Sequence, residues 1–458
     1  MINSKNGSPS INSVPDLVIR CGIIITMAKD GEIISDADII IIDGKIAGIQ
    51  KMDQTVWPYA DKTEIIDATD AIVMPGLVNA HTHIPMTLFR GLADDMPLTK
   101  WLFDKIFPAE SEFLNPETVY YGSLLGCLEM IASGTTCFAD GYFFQDSSVH
   151  AVMESGLRAL VAQGVIDFPA PGIKDPSENL NLAKKFIERW INTSDLIKPG
   201  IFCHSPVTCS GQTLKGAWKI SKEFNIPLQI HLSETIHEVN DLVKKTRKRP
   251  VHYLDQLGII DKDLIAAHCV HLDHEEIDLL KKKEVKIVHV PESNMKLGSG
   301  VAKVSEMIDM GLTVGLGTDG CASNNNLDML CEMDTATKLC KVFTNDPTAL
   351  DAMTVLKMAT IHGANTLGIG EKIGSIQTGK QADIIVIGLN TPHMCPLHDP
   401  ISSVVYSAKG TDVRDVVVNG KVLMKNRRYS TINYQDVVKK VTDICTEIKK
   451  KAGRNEGL

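Results

Sequence analysis

A chain of 458 residues with 44% hydrophobic and 22% charged side chains can bury one large core and a smaller second one. Its formal charge of −9 argues against a broad nucleic-acid or anionic-membrane surface, and no apolar run is long enough to span a bilayer. Eleven scattered cysteines without a CxxC pair, and a polar stretch at 1–15 with no apolar signal core, lead to the expectation of a cytoplasmic protein with reduced thiols.

Residues 17–26, 37–42 and 45–49 read as short strands, with Gly31 and Asp43-Gly44 as turns. A strand over 73–83 follows and ends in His81-Thr82-His83. The apolar loop 86–98 leads to Trp101, Phe103, Phe107 and Glu110, which would line a pocket or pack as a lid. From there helix and strand alternate. Helices are expected at 116–132, 148–154, 179–192, 213–224, 239–257, 274–282 and 301–310. Strands are expected at 135–139, 159–165, 201–205, 227–232, 264–269, 286–290 and 313–317. Counted from 73, eight strands that are apolar on both faces and separated by helices predict a (β/α)8 TIM-like barrel. Helices at 327–341, 351–359 and 364–367 come next, then strands at 383–387, 401–406, 415–418 and 421–423, with Asn419-Gly420 as a hairpin turn. Neither strand-rich flank is self-sufficient, so both termini are expected to build one small composite β-sandwich. The expected division is 1–66 with 370–432 for the sandwich, 67–369 for the barrel, and 433–458 as a solvated helical tail.

Barrel enzymes keep their chemistry at the C-terminal ends of the strands. There the first strand offers His81 and His83, which alternation puts on one face. The fourth offers His204, the fifth His231 with Glu234 three residues on, the sixth His268 and the eighth Asp319. Convergent imidazoles and a carboxylate suit a catalytic zinc with an open position for water. Fe2+ or Mn2+ would suit the same donors. Glu234 is placed to carry a proton without binding the metal, His268 to orient the water, and Asp319 to move its proton. His289 ends the seventh strand but reads as a structural residue, and Cys203, Cys269 and Cys321 read as core or wall. These residues leave amide, phosphoester and amine hydrolysis all open.

The motifs Pro75-Gly76-Leu77-Val78-Asn79-Ala80-His81-Thr82-His83, Arg90-Gly91-Leu92-Ala93-Asp94-Asp95, His231-Leu232-Ser233-Glu234-Thr235, Ala267-His268-Cys269 and Gly317-Thr318-Asp319-Gly320 with Ser323-Asn324-Asn325 carry a resemblance. So does the segment from Gly374 to Asp383. Together they resemble the amidohydrolase superfamily over nearly the whole chain, within it the 5-methylthioadenosine/S-adenosylhomocysteine deaminase family. The resemblance implies a metal-dependent hydrolytic deaminase. It would convert the 6-amino group of 5′-methylthioadenosine, S-adenosylhomocysteine or adenosine to the inosine-type product, releasing ammonia. It implies one zinc on His81, His83, His231 and Asp319, and Glu234, His268 and Asp319 as the catalytic groups. Substrate contacts would come from Glu110 at the ribose hydroxyls, from His204, Glu234 and Ser323, and from Trp101 in the wall around the 5′-substituent. A homo-oligomer is compatible with it.

One stretch departs from the family pattern. Arginines after the third strand that can meet the homocysteine carboxylate are absent from 162–175, where Gln163 and Asp175 stand in their places beside Lys174. The expectation is therefore a preference for 5′-methylthioadenosine or adenosine over S-adenosylhomocysteine. The alternative is a deaminase or hydrolase of a free base or an s-triazine, for which a ribose-binding Glu110 has no task.

Overall fold

The structure is a computed structural model and describes residues 14–28, 31–52 and 62–455. It contains two eight-stranded sheets. The chain begins with β1 (Leu17–Ile25), β2 (Ile33–Ile42), β3 (Lys45–Lys51) and β4 (Glu64–Pro75). Then come the barrel strands β5 (Leu77–Thr82), β6 (Thr135–Tyr142), β7 (Arg158–Val165), β8 (Ile197–Cys203), β9 (Leu228–Leu232), β10 (Leu264–His268), β11 (Lys286–His289) and β12 (Thr313–Leu316). The strands β13 (Ile384–Gly388), β14 (Val413–Val418), β15 (Lys421–Lys425) and β16 (Arg428–Tyr429) return to the first sheet.

β5 to β12 pair in parallel and in sequence order, with helices on the connections, as the alternating pattern predicts. The seam between β12 and β5 has no ladder among the described residues. It is closed instead by Asp319 N–H donating to His81 O (3.0 Å) and by the Asn79 side chain bonding to Thr318. This approach requires a bare backbone at Gly317, where a Cβ would sit 2.8 Å from the His81 nitrogen.

The composite sheet runs β16-β15-β14-β13-β4-β1-β2-β3, so both termini contribute, as expected. It curls on itself: the β2–β3 turn at Gly44 reaches Ala382 and the Asn419-Gly420 turn. Period-two alternation explains its two faces. Ala71, Val73, Ile384 and Val386 fill the sheet's own core, whereas Ile72, Met74, Ile385 and Ile387 join the core shared with the barrel. A buried ion pair also ties the units, with Arg158 of β7 donating to both oxygens of Asp383 (2.8 and 3.1 Å).

Three expectations are corrected. The single strand at 73–83 is two strands parted at Gly76, which lies so close to Thr136 that a Cβ would clash at 2.0 Å. Residues 401–406 are not a strand but part of a helix, Pro400–Tyr406, started by Asp399 accepting from the backbone N–H groups of Ile401 and Ser402 with Pro at the first position. The tail helix, Tyr434–Asn455, is not merely solvated: Val437, Val441 and Ile448 are buried in the main core, and Lys440 pairs with Glu117 on the helix Pro116–Ala132. Among the described residues no helix is long and apolar enough to cross a membrane.

Candidate active site

The strand-end residues singled out from the sequence converge. His81 Nε2 and His83 Nε2 each lie 3.2 Å from His231 Nε2. Asp319 Oδ1 is 3.5 Å from His81 Nε2 and 3.2 Å from His83 Nε2. A tetrahedral zinc site with bonds of about 2.0–2.1 Å has ligand–ligand edges of roughly 3.3–3.4 Å, so these four atoms stand where zinc ligands stand. A second grouping is present: His268 replaces His83 in a set with His81, His231 and Asp319 whose donor atoms lie within 4.8 Å of one another. The shorter edges favour the set with His83. The donor set fits one zinc ion.

Two of the three imidazoles are held in the form that binds metal. Burial holds His81 down to about 4 and His231 well below its usual range, so both imidazoles are neutral, the form that binds metal. His83 is raised: burial opposes its charge, but the Asp319 carboxylate outweighs that with help from Asp140 and the Gly141 carbonyl. Its Nδ1–H donates to Gly141 O (2.6 Å), and since a carbonyl only accepts, Nε2 is the nitrogen that faces the cluster bare once the ring is neutral. Asp319 is lowered despite its burial, by hydrogen bonds from His81 and His83. Its other oxygen accepts from Ser293 Oγ (2.6 Å) and Ser323 Oγ (2.8 Å).

Backbone conformation aims two of these groups. His268 and Asp319 have left-handed φ angles of 70° and 61°, which interrupt the strand alternation at the mouth of the barrel. His268 Nδ1–H donates to Asn294 Oδ1 (2.9 Å), which leaves Nε2 facing Glu234 Oε2 at 3.6 Å. Glu234 is pushed up to about 8 by burial and by Asp319, and Ser299 Oγ donates to its Oε1 (3.2 Å). Both burial and Asp319 favour the protonated carboxyl.

A cleft of about 730 Å³ opens over the cluster. Trp101, Glu110, His204, Glu234 and Ser323 all line it, together with Met86, Leu98 and Phe107. The expected apolar loop is in part helical: Ile84–Phe89 forms a 3₁₀ turn, and a widened π segment, Trp101–Ile106, leads into the helix Phe107–Phe113 that carries Glu110. Trp101 Nε1–H donates to Ala93 O (3.1 Å). His204 sits edge-on to His231, with Nδ1 hydrogen-bonded to Thr208 (2.9 Å). Glu110 is pushed up to about 7 by burial, moderated by the Tyr142 hydroxyl, which donates to Oε1 at 2.5 Å. Among the described residues no Lys or Arg lines the cleft, and neither Lys174 nor Asp175 reaches its wall. His289 is buried away from the cleft, and Cys203, Cys269 and Cys321 are buried.

Sequence reasoning missed Gly141, Tyr142, Ser293, Asn294 and Ser299. A signal existed for some of them, since Asp140-Gly141-Tyr142 ends β6, and Ser293 and Asn294 follow β11 by a few residues.

A parallel barrel with a buried three-histidine, one-aspartate cluster at its C-terminal mouth defines a metal-dependent barrel hydrolase. The profile of the amidohydrolase family matches residues 72–423. A 5-methylthioadenosine/S-adenosylhomocysteine deaminase of Syntrophobacter fumaroxidans is 43% identical over 438 residues, covering 96% of this chain and 99% of that protein. A 5′-deoxyadenosine deaminase of Methanopyrus kandleri is 43% identical over 432 residues, covering 94% and 98%. The crystal structure of a zinc-bound adenosine deaminase from Xanthomonas campestris superposes with a TM-score of 0.93 at 36% identity, covering 96% of this chain and 99% of that one. The chain belongs to the amidohydrolase family.

Proposed function

We propose that this amidohydrolase exchanges the 6-amino group of an adenosine-type nucleoside for oxygen, consuming water and releasing ammonia, in the cytoplasm. The observation that carries the reading is a pair of buried carboxyl groups in one largely apolar cleft. Glu234 lies beside the metal cluster, 3.6 Å from His268, where burial favours its protonated form, and Glu110 stands apart from it on the helix Phe107–Phe113. The names of the relatives point the same way. The eleven free cysteines suit a reducing compartment.

His81, His83, His231 and Asp319 would hold the zinc. Bound there, zinc supplies Lewis-acid activation of water. Glu234 delivers its proton to the ring nitrogen next to the carbon under attack, which removes the aromatic resistance to addition. His268 Nε2, bare because Nδ1 is bonded to Asn294, accepts a hydrogen bond from the incoming water. Asp319 takes the water's proton and passes it to the departing amine. Glu110 receives the ribose hydroxyls, His204 and Ser323 border the nucleoside, and Trp101 with Met86 encloses the 5′-substituent. The Ser323 hydroxyl also steadies Asp319, so its part in the site extends to the carboxylate.

The absence of Lys and Arg from the cleft extends the argument about the missing arginines. Among the described residues that line the cleft there is no Lys or Arg to pair with the carboxylate of S-adenosylhomocysteine. Ammonia release by the zinc-loaded protein should be ranked over 5′-methylthioadenosine, adenosine, S-adenosylhomocysteine, guanine, cytosine and an aminated triazine. The expected result is turnover of the nucleosides alone, with S-adenosylhomocysteine the poorest of the three in kcat/KM. Activity on a free base with silence on all nucleosides would overturn the assignment.

A further inference from the structure

The end of β6 touches the site three times in three consecutive residues. The Asp140 carboxylate accepts from the Ile84 backbone N–H (2.6 Å), next to His83. The Gly141 carbonyl takes the His83 Nδ1–H. The Tyr142 hydroxyl reaches Glu110 Oε1 at 2.5 Å, and its ring lies 6.0 Å from that of His83. Both Tyr142 and Glu110 are buried in the cleft wall.

We propose that Tyr142 is a positioning residue that sets the sugar specificity of the site by fixing which oxygen of Glu110 faces the substrate. The inference rests on the reading above, in which Glu110 meets the ribose hydroxyls. A glutamate at the end of three side-chain torsions offers its oxygens to a ligand in many orientations. One short hydrogen bond from a ring held in the wall removes most of that freedom before the substrate arrives. The phenol hydroxyl points at Glu110 Oε1 and donates to it. Among the described residues no protein donor reaches Glu110 Oε2, which is thereby presented to the sugar. Tyr142 acts through Glu110 alone, so its hydroxyl matters only to a substrate with sugar hydroxyls to place.

The test compares wild type, Tyr142→Phe, Glu110→Gln and the double variant on adenosine and 2′-deoxyadenosine, with zinc content and Tm measured for each. Loss of one hydrogen bond corresponds to roughly 2- to 10-fold in KM. Tyr142→Phe should raise KM for adenosine by about that factor. It should leave kcat and zinc content near wild type and narrow the preference for adenosine over its 2′-deoxy form. In the Glu110→Gln background the same change should have little further effect, as expected of two residues acting as one unit. Additive losses in the double variant, or a fall in kcat with loss of zinc, would overturn the inference by showing that Tyr142 acts through His83 or through packing. An unaltered KM and sugar preference in Tyr142→Phe, with Glu110→Gln strongly impaired, would overturn it and leave the functional reading intact. If Glu110→Gln itself turns over both nucleosides like wild type, the ribose assignment fails first and takes the inference with it.

Discussion

The two sheets of this molecule obey the same alternation and put it to opposite uses. In the composite sheet, over 71–74 of β4 and 384–387 of β13, every second side chain faces one apolar core and the rest face another, so both faces there are consumed by packing. In the barrel the strands are equally apolar along their length, but at the C-terminal ends the alternation stops and buried His, Asp and Glu side chains take over. At His268 and Asp319 the backbone itself leaves the strand conformation to aim them. One sheet supports the fold, and the ends of the other carry polar groups whose burial costs stability and has only a chemical justification.

That contrast can be broken by variants that separate activity from stability. The largest expected effect is on chemistry: Glu234→Gln should lower kcat by about 10²–10⁴-fold, the usual contribution of a general acid, with zinc content and Tm unchanged. A stability loss of comparable size to its lost catalysis would show that Glu234 supports the fold as well. The complementary change is Asp383→Ala, far from the cleft. It leaves the Arg158 guanidinium buried without its partner and should cost about 3–5 kcal/mol in unfolding free energy. The protein that remains folded should keep its kcat/KM, measured well below Tm. A smaller expected effect sharpens the account within the site. Replacing both Ser293 and Ser323 by Ala frees the outer oxygen of Asp319 and should weaken zinc affinity by about 10–100-fold in a competition titration. Unchanged affinity would mean that the two hydroxyls do not steady the ligand.

The sequence revealed those parts of the site that follow from periodicity. His81, His83 and His231 were legible because strand residues near a barrel mouth point where alternation sends them. Asp319 and His268 were legible as positions but not as directions, since a left-handed backbone angle at a non-glycine residue leaves no mark in the text. The partners of these groups were hidden for a different reason. Gly141 acts through a carbonyl that every residue possesses, and Ser293 meets Asp319 across 26 positions of chain through tertiary approach alone. In the fold, the eight-unit alternation and the Asn419-Gly420 hairpin followed from local chemistry, and the turn has the two positive φ angles its residues favour. The helix Pro400–Tyr406 did not. Its Ile401, Val404 and Val405 suit a strand, but the Asp399 cap and Pro400 outweigh that preference.

The most direct test of the central claim, that the strand-end cluster is a single-zinc hydrolytic site, is to measure metal content and ammonia release on one sample. The protein would be stripped with a chelator and titrated with zinc in the presence of 5′-methylthioadenosine. The account predicts that the stripped protein keeps its fold by circular dichroism but releases no ammonia, and that release rises linearly to a plateau at one zinc per chain. Full turnover in the stripped protein, or a plateau only at two zinc ions per chain, would contradict it.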